Sequence, residues 1–126
     1  MKSKYVNLIT QFIRAGKVVS VKDTEIDLLE EALKIRIKES DFDDHHLIAM
    51  VIVTGCQLLA SCNTRHFKIL KKKEYYGTVC PPKIYSGTRQ CNSLLCDQYI
   101  SEICKPAKKA TRQQRAMMQR RYLNEV

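Results

Sequence analysis

The chain has no Trp, few aromatic residues of other kinds, and only four Gly and three Pro. It also lacks any apolar run close to the roughly 18 residues that a membrane-spanning helix requires. Its longest apolar segment, Leu47 to Val53, suits a buried helix of a water-surrounded core and excludes a helical bilayer span. The N-terminus reads Met-Lys-Ser-Lys and shows no apolar signal-peptide core, so a cytoplasmic location without membrane contact is expected. No internal repeat or low-complexity tract is present, which sets aside solenoids and arrays. No Asp or Glu occurs before Asp23. What remains is a 126-residue chain, 44% hydrophobic, enough for one compact domain with a real core.

Six cysteines are present: Cys56, Cys62, Cys80, Cys91, Cys96 and Cys104. Without a secretory signal, reduced thiols are the default. Cys56 sits among apolar residues and reads as a small hydrophobe. Cys80, Cys91, Cys96 and Cys104 invite a zinc reading, but their spacings leave ten, four and seven residues between neighbours. Structural zinc sites are built around at least one compact pair, so Zn²⁺ is not expected.

The net charge of +9 is concentrated at one end. From Lys105 onward there are seven Lys or Arg and a single Glu. Such clustering is the electrostatic footprint of a polyanion, most often nucleic acid. Lys108, Lys109, Arg112, Arg115, Arg120 and Arg121 are the candidate phosphate contacts, and Tyr122 could stack on a base. The competing reading is a solvated tail, or a docking segment using Met117, Met118 and Leu123.

Periodicity places the elements. Tyr5, Leu8, Ile9, Phe12 and Ile13 form one face of a helix that Gly16 ends. Val18 to Val21, three of its four residues β-branched, reads as a buried strand. Asp23 and Thr24 are candidate caps for a helix carrying Ile26, Leu29, Leu33 and Ile37. A polar break, Ser40 to Asp44, precedes a helix that is apolar on nearly every side and closes at Gly55. Leu58-Leu59-Ala60 is a buried strand, and strand–helix–helix–strand order predicts a parallel sheet. A basic helix from Thr64 to about Lys73, a strand at Lys83-Ile84-Tyr85, a helix over Asn92 to Ile103 and a basic helix or arm from Ala107 to Leu123 complete the expectation.

Asp41, Asp43 and Asp44 sit just before the apolar helix. Capping and the helix dipole favour acids there and need no function. The alternative is that they lie at the carboxyl edge of a parallel sheet, where ligands gather. The run Asp44-His45-His46-Leu47-Ile48-Ala49, then Gly55, then Leu58-Leu59-Ala60-Ser61-Cys62-Asn63 and His66-Phe67, resembles the C-terminal half of a PIN domain, a metal-dependent nuclease. In that family the segment reads D-x-H-x-I-A-x-A, followed by Gly, an apolar strand and a T/S-x-N or T/S-N-D cluster before an aromatic residue. Residues 5 to 95 are covered, with Lys83 to Gly87 and Leu94-Leu95 similar to the end of such domains.

The resemblance implies that Asp44 takes the third acidic position of the metal site, with Asp43 its close competitor. Asn63 takes the fourth, and Ser61 is the small hydroxyl residue beside it. His46 is implied to be a packed, structural histidine. The implied cofactor is Mg²⁺ or Mn²⁺ and the implied reaction is phosphodiester hydrolysis of RNA. One departure is large: the family opens with a strand carrying the first metal-binding Asp, followed by a helical Glu, and nothing between Met1 and Lys22 reads as that strand. Glu30 and Glu31 lie on a later helix and do not inherit the role.

The expected architecture is therefore a three-layer, PIN-like α/β fold over residues 1–104. Its short parallel sheet is flanked by helices and incomplete at the N-terminus, and a basic extension follows over 105–126. The expected activity is that of a ribonuclease, degenerate or incomplete as a single chain. The rivals are a non-catalytic module that binds nucleic acid or protein, and one half of a split nuclease. A homodimer or a partner chain would complete the sheet.

Overall fold

The structure, a computed structural model, describes residues 2–120. Among these, five α-helices are present: α1 (Lys2–Arg14), α2 (Asp23–Arg36), α3 (His45–Thr54), α4 (Phe67–Leu70) and α5 (Arg112–Met118). Two strands, β1 (Leu58–Ala60) and β2 (Lys83–Tyr85), make a parallel pair, and short 3₁₀ turns fill much of the remainder. The chain divides into two compact units. One is Ser20–Lys105; the other joins Met1–Val19 to Pro106–Val126, as far as those residues are described.

Within Ser20–Lys105 the core is built where helix periodicity predicts it. Ile26, Leu33 and Ile37 are buried from the α2 segment, and Ile48, Ala49 and Val51 from α3. These two helices pack on each other, and Phe42, Leu70, Tyr75, Tyr76 and Ile84 close the cluster. Gly55, with φ 65°, ends α3 by donating its N–H to the Val51 carbonyl at 2.8 Å. Only a residue without a Cβ adopts that left-handed conformation freely. The turn sends the chain directly into β1.

β1 and β2 run parallel, with Leu58 opposite Lys83 and Ala60 opposite Tyr85. Hydrogen bonds from Lys83 to the Gln57 carbonyl and from Ser61 to the Tyr85 carbonyl extend the ladder at both ends. A parallel sheet is thus present, but its partners differ from the expectation. Residues 17–22 are irregular, and Val18 and Val19 are exposed at 43% and 48%. β-Branched residues form a strand only where a neighbour pairs with them, and none does here. The unit boundary falls between Val19 and Ser20.

Three other expectations change. The helix foreseen over Asn92 to Ile103 is replaced by 3₁₀ turns at Arg89–Leu94, Asp97–Tyr99 and Glu102–Cys104. Leu95 and Ile103 are exposed, so their helical spacing meets no core to stabilise it. The helix foreseen from Thr64 splits into a 3₁₀ turn, Thr64–His66, and α4. Lys22, without a side-chain cap, precedes α2 in place of Asp23 or Thr24.

In the other unit, a pair of hydrogen bonds wraps the end of α1: Lys17 N–H to the Phe12 carbonyl, and Gly16 N–H to the Ile13 carbonyl. This is the Schellman arrangement, with Gly16 at φ 67°. Leu8 is half-buried while Ile9, Phe12 and Ile13 are exposed, and the side chain of Tyr5 is outside the described residues. α5 starts later than the basic pattern suggests, because Thr111 and Gln114 form a reciprocal capping box that fixes Arg112 as its first residue. Arg121, Tyr122 and Leu123 lie outside the described residues. No helix among those described is long and apolar enough to cross a membrane.

Candidate metal centre

Asp44 occupies the residue immediately before α3, where a carboxylate would ordinarily cap the helix. It makes no side-chain cap hydrogen bond. Its Oδ2 lies instead 3.1 Å from Nδ1 of His66, twenty-two residues later in the chain. Capping, the reading that would have left Asp44 without a role, is not how its carboxylate is used.

His66 ends the 3₁₀ turn that follows β1, and its ring is 3% exposed. Phe42 packs edge-on against it with ring centres 5.1 Å apart. The other ring nitrogen, Nε2, lies 3.2 Å from the backbone carbonyl of Asp41. A carbonyl only accepts, so Nε2 carries hydrogen and the ring is held in a fixed orientation. Nδ1 then faces two groups of opposite character: the Asp44 carboxylate and, also at 3.1 Å, Nδ2 of Asn63.

This geometry creates a conflict. A bare Nδ1 accepts from the Asn63 amide but points its lone pair at a carboxylate. A protonated Nδ1 satisfies Asp44 but opposes the amide hydrogens unless Asn63 is turned over. A proton or a metal ion shared by Nδ1 and Asp44 removes the repulsion, the proton with Asn63 turned over. A histidine that donates through one nitrogen to a backbone carbonyl and presents the other to carboxylates has the orientation typical of metal ligands. Asp43 completes the group: donor atoms of Asp43, Asp44 and His66 all lie within 4.8 Å of one another. Among the described residues this is the one cluster of three or more acidic, His or Cys side chains so arranged. Two carboxylates and one imidazole suit Mg²⁺ less than Mn²⁺, which accepts nitrogen more readily.

The structure thus brings together three of the residues expected at the site, Asp43, Asp44 and Asn63, and adds His66. Ser61 stands one step back: its Oγ accepts the Asn63 N–H at 3.3 Å and so shapes the turn. The histidine expected to be packed, His46, is exposed, whereas His45 is buried beside Phe42 with ring centres 4.9 Å apart. His66 carried a signal in the sequence. It follows Asn63 by three positions, and residues i and i+3 eclipse on a 3₁₀ turn. Reading Thr64 onward as one regular α-helix hid that face.

The basic residues lie apart in sequence and in unit. Lys108, Lys109, Arg112, Arg115 and Arg120 are all exposed and belong to the unit formed by the two chain ends. Cys80, Cys91, Cys96 and Cys104 are free thiols.

One of them has a distinctive setting. Cys91 Sγ lies 3.4 Å from the Ser86 hydroxyl and 3.3 Å from that of Thr88, just beyond the end of β2. Hydrogen bonds from Ser86 first, then Thr88, bring its pKa down to about 7 from 9.0. Alkylation of Cys91 by iodoacetamide should therefore reach half its limiting rate near pH 7, since the thiolate is the nucleophile. The double substitution Ser86→Ala, Thr88→Ala should move that midpoint toward 9. A midpoint that stays put would show that the hydroxyls do not act on the sulfur.

No protein-family model, no curated protein and no solved structure matches this chain.

Proposed function

We propose that Asp43, Asp44 and His66 hold a divalent metal ion, Mn²⁺ or Mg²⁺, in a PIN-like centre for hydrolysis of RNA phosphodiesters. The observation that carries this reading is the convergence of donor atoms of Asp43, Asp44 and His66 within 4.8 Å of one another, with the second imidazole nitrogen of His66 tied to a carbonyl. A bound ion would supply activation of a water and neutralisation of charge on the departing oxygen. Asp44 and His66 orient the donors, Asn63 steadies the Nδ1 side of the ring, and Ser61 holds the Asn63 backbone. Asp43, the exposed member, faces solvent and gives substrate access.

Two carboxylates and one imidazole are a thin ligand set for a complete hydrolytic site. Among the described residues β1 and β2 form a sheet of two strands, with Leu58 and Leu59 half-buried. An isolated pair of this size is weakly stabilised, and its outer edges can accept further strands. This favours one variant of the proposal: a second chain, of this sequence or another, adds a strand and the remaining acidic ligands.

The test is cleavage of end-labelled single-stranded RNA by the purified chain. Fragments should form with Mn²⁺, disappear with excess EDTA, and return on adding Mn²⁺ back. RNA that stays intact with Mn²⁺ while still being bound would rule out autonomous hydrolysis and leave binding as the function.

A further inference from the structure

A second feature lies wholly within the unit formed by the chain ends. Between α1 and α5 there is a cavity of about 360 Å³ lined by Gln11, Arg14, Ala15, Gln113, Gln114, Met117 and Arg120. That volume falls in the range in which proteins hold small ligands or single groups of larger ones. A smaller adjoining cavity of about 80 Å³ shares Gln11, Ala15, Gln114 and Met117 and adds Phe12 and Met118.

The chemistry of the lining is specific. Two guanidinium groups suit a phosphate, because their planar donors match its oxygens in pairs. Gln11 and Gln113 offer amides that both donate and accept, as the edges of nucleobases do, while Gln114, whose Oε1 accepts the Thr111 N–H, offers its NH₂ group. The neighbouring cavity supplies an aromatic ring and thioethers, the surface on which an unpaired base stacks. Among the described residues of this unit no carboxylate competes: residues 2–19 and 106–120 contain nine Lys or Arg and no Asp or Glu. Parts of the cleft are also fixed before a ligand arrives. The Schellman turn at Gly16 holds the end of α1 that carries Arg14 and Ala15. The capping box holds Gln114 at the start of α5. Preorganisation of this kind lowers the entropic cost of binding.

We propose that the α1–α5 cleft binds single-stranded RNA, taking a phosphate on Arg14 and Arg120 and an adjacent nucleobase against the glutamine amides and the Phe12–Met117 shelf. A duplex could not present a base there, because its bases are stacked and paired. An acidic peptide would satisfy the arginines but leave the amides and the apolar shelf without complementary partners. The choice of RNA rests on the proposed function, whereas the cleft itself is independent of the metal centre.

The experiment is fluorescence anisotropy of a labelled oligouridylate of roughly ten nucleotides, long enough for a single-strand groove, titrated with the full chain in EDTA. Chelation keeps the result independent of whether the acidic cluster binds metal or cleaves. Arg14→Ala should weaken binding about tenfold and reduce the slope of log affinity against log salt by about 0.7, the value for one lost single-strand phosphate contact. Ala15→Phe, which fills the cleft without changing charge, should also weaken binding about tenfold. Gln11→Leu removes an amide with little added bulk and guards against a packing failure in Ala15→Phe; it should cost about threefold. Arg89→Ala, an exposed arginine of the Ser20–Lys105 unit that does not line the cleft, should cost no more than about twofold.

Unchanged affinity in both Ala15→Phe and Gln11→Leu would overturn the proposal and assign binding to diffuse charge. So would a polyglutamate peptide of equal charge that displaced the RNA as effectively as unlabelled oligouridylate.

Discussion

Replacing Asp44 by Asn should lower the affinity for Mn²⁺ by roughly 10–100-fold or more, and His66→Ala should do the same. The two substitutions probe different halves of one contact. Asp44→Asn keeps the shape of the side chain and removes its charge. His66→Ala removes Nδ1 and, with it, the donor to the Asp41 carbonyl. Binding can be followed by the loss of the free Mn²⁺ resonance and, independently, by stability. An ion that binds only the folded chain at one hundred times its dissociation constant stabilises it by about 2.7 kcal/mol. For a unit of this size that corresponds to a rise in Tm of about 15 °C. The rise should vanish in both variants.

A purely structural histidine predicts something else: His66→Ala would be less stable, yet wild type would melt at one temperature with or without Mn²⁺. That pair of results would end the metal reading. Cleavage, if present in wild type, should be lost with the ion affinity.

Removing the Tyr76 side chain should cost the Ser20–Lys105 unit about 3–5 kcal/mol, the usual range for truncating a fully packed aromatic residue. Tyr76 is 2% exposed, belongs to the core cluster, and donates its hydroxyl to the Leu70 carbonyl. Tyr76→Ala leaves both a void and an unpartnered carbonyl, whereas Tyr76→Phe leaves only the carbonyl and should cost about 1–2 kcal/mol. Urea midpoints measure both.

Burial pushes the Tyr76 phenol up to about 12 from 10.0, so the folded chain holds the neutral form. The group's contribution is fully present below pH 10 and is lost as pH rises from about 10 toward 12, by roughly 2–3 kcal/mol. Wild type should therefore lose stability more steeply over that interval than Tyr76→Phe. Parallel curves would show that the phenol is not held in its neutral form by the fold.

How much of this could be read from residues alone differs sharply by element. α2 and α3 were legible because their apolar spacing coincides with the faces they bury, at Ile26 and Leu33 and at Ile48 and Val51. Gly55 was legible because a left-handed turn leaves few other choices of residue. β1 and β2 were legible as strands. Val18–Val21 misled because strand propensity is a preference for a neighbouring strand as much as a property of the segment. Leu95, Tyr99 and Ile103 misled because helical spacing without a receiving core gives 3₁₀ turns here.

At the site, Asp43, Asp44 and Asn63 were accessible from the pattern of acidic and amide groups around an apolar helix and strand. His66 was accessible only in part: its spacing from Asn63 was there to read, but its contact with Asp44 depends on a fold-back across twenty-two residues that no local spacing encodes. The cleft between α1 and α5 depends on a still longer return of the chain. Nothing near Arg14 in sequence announces Arg120.

That long return has a consequence for the order of events during synthesis. A unit assembled from residues before 20 and after 105 cannot close until the intervening segment has been made. Closing so long a loop in an unfolded chain is entropically costly and slow. If the intervening unit has already folded, the same closure becomes the meeting of two short arms. α1, with Val6, Ile9 and Ile13 exposed even in the folded chain, must therefore wait on the nascent chain until residues beyond 105 have been made. For that interval it is the segment most open to chaperones, proteases and other copies of itself.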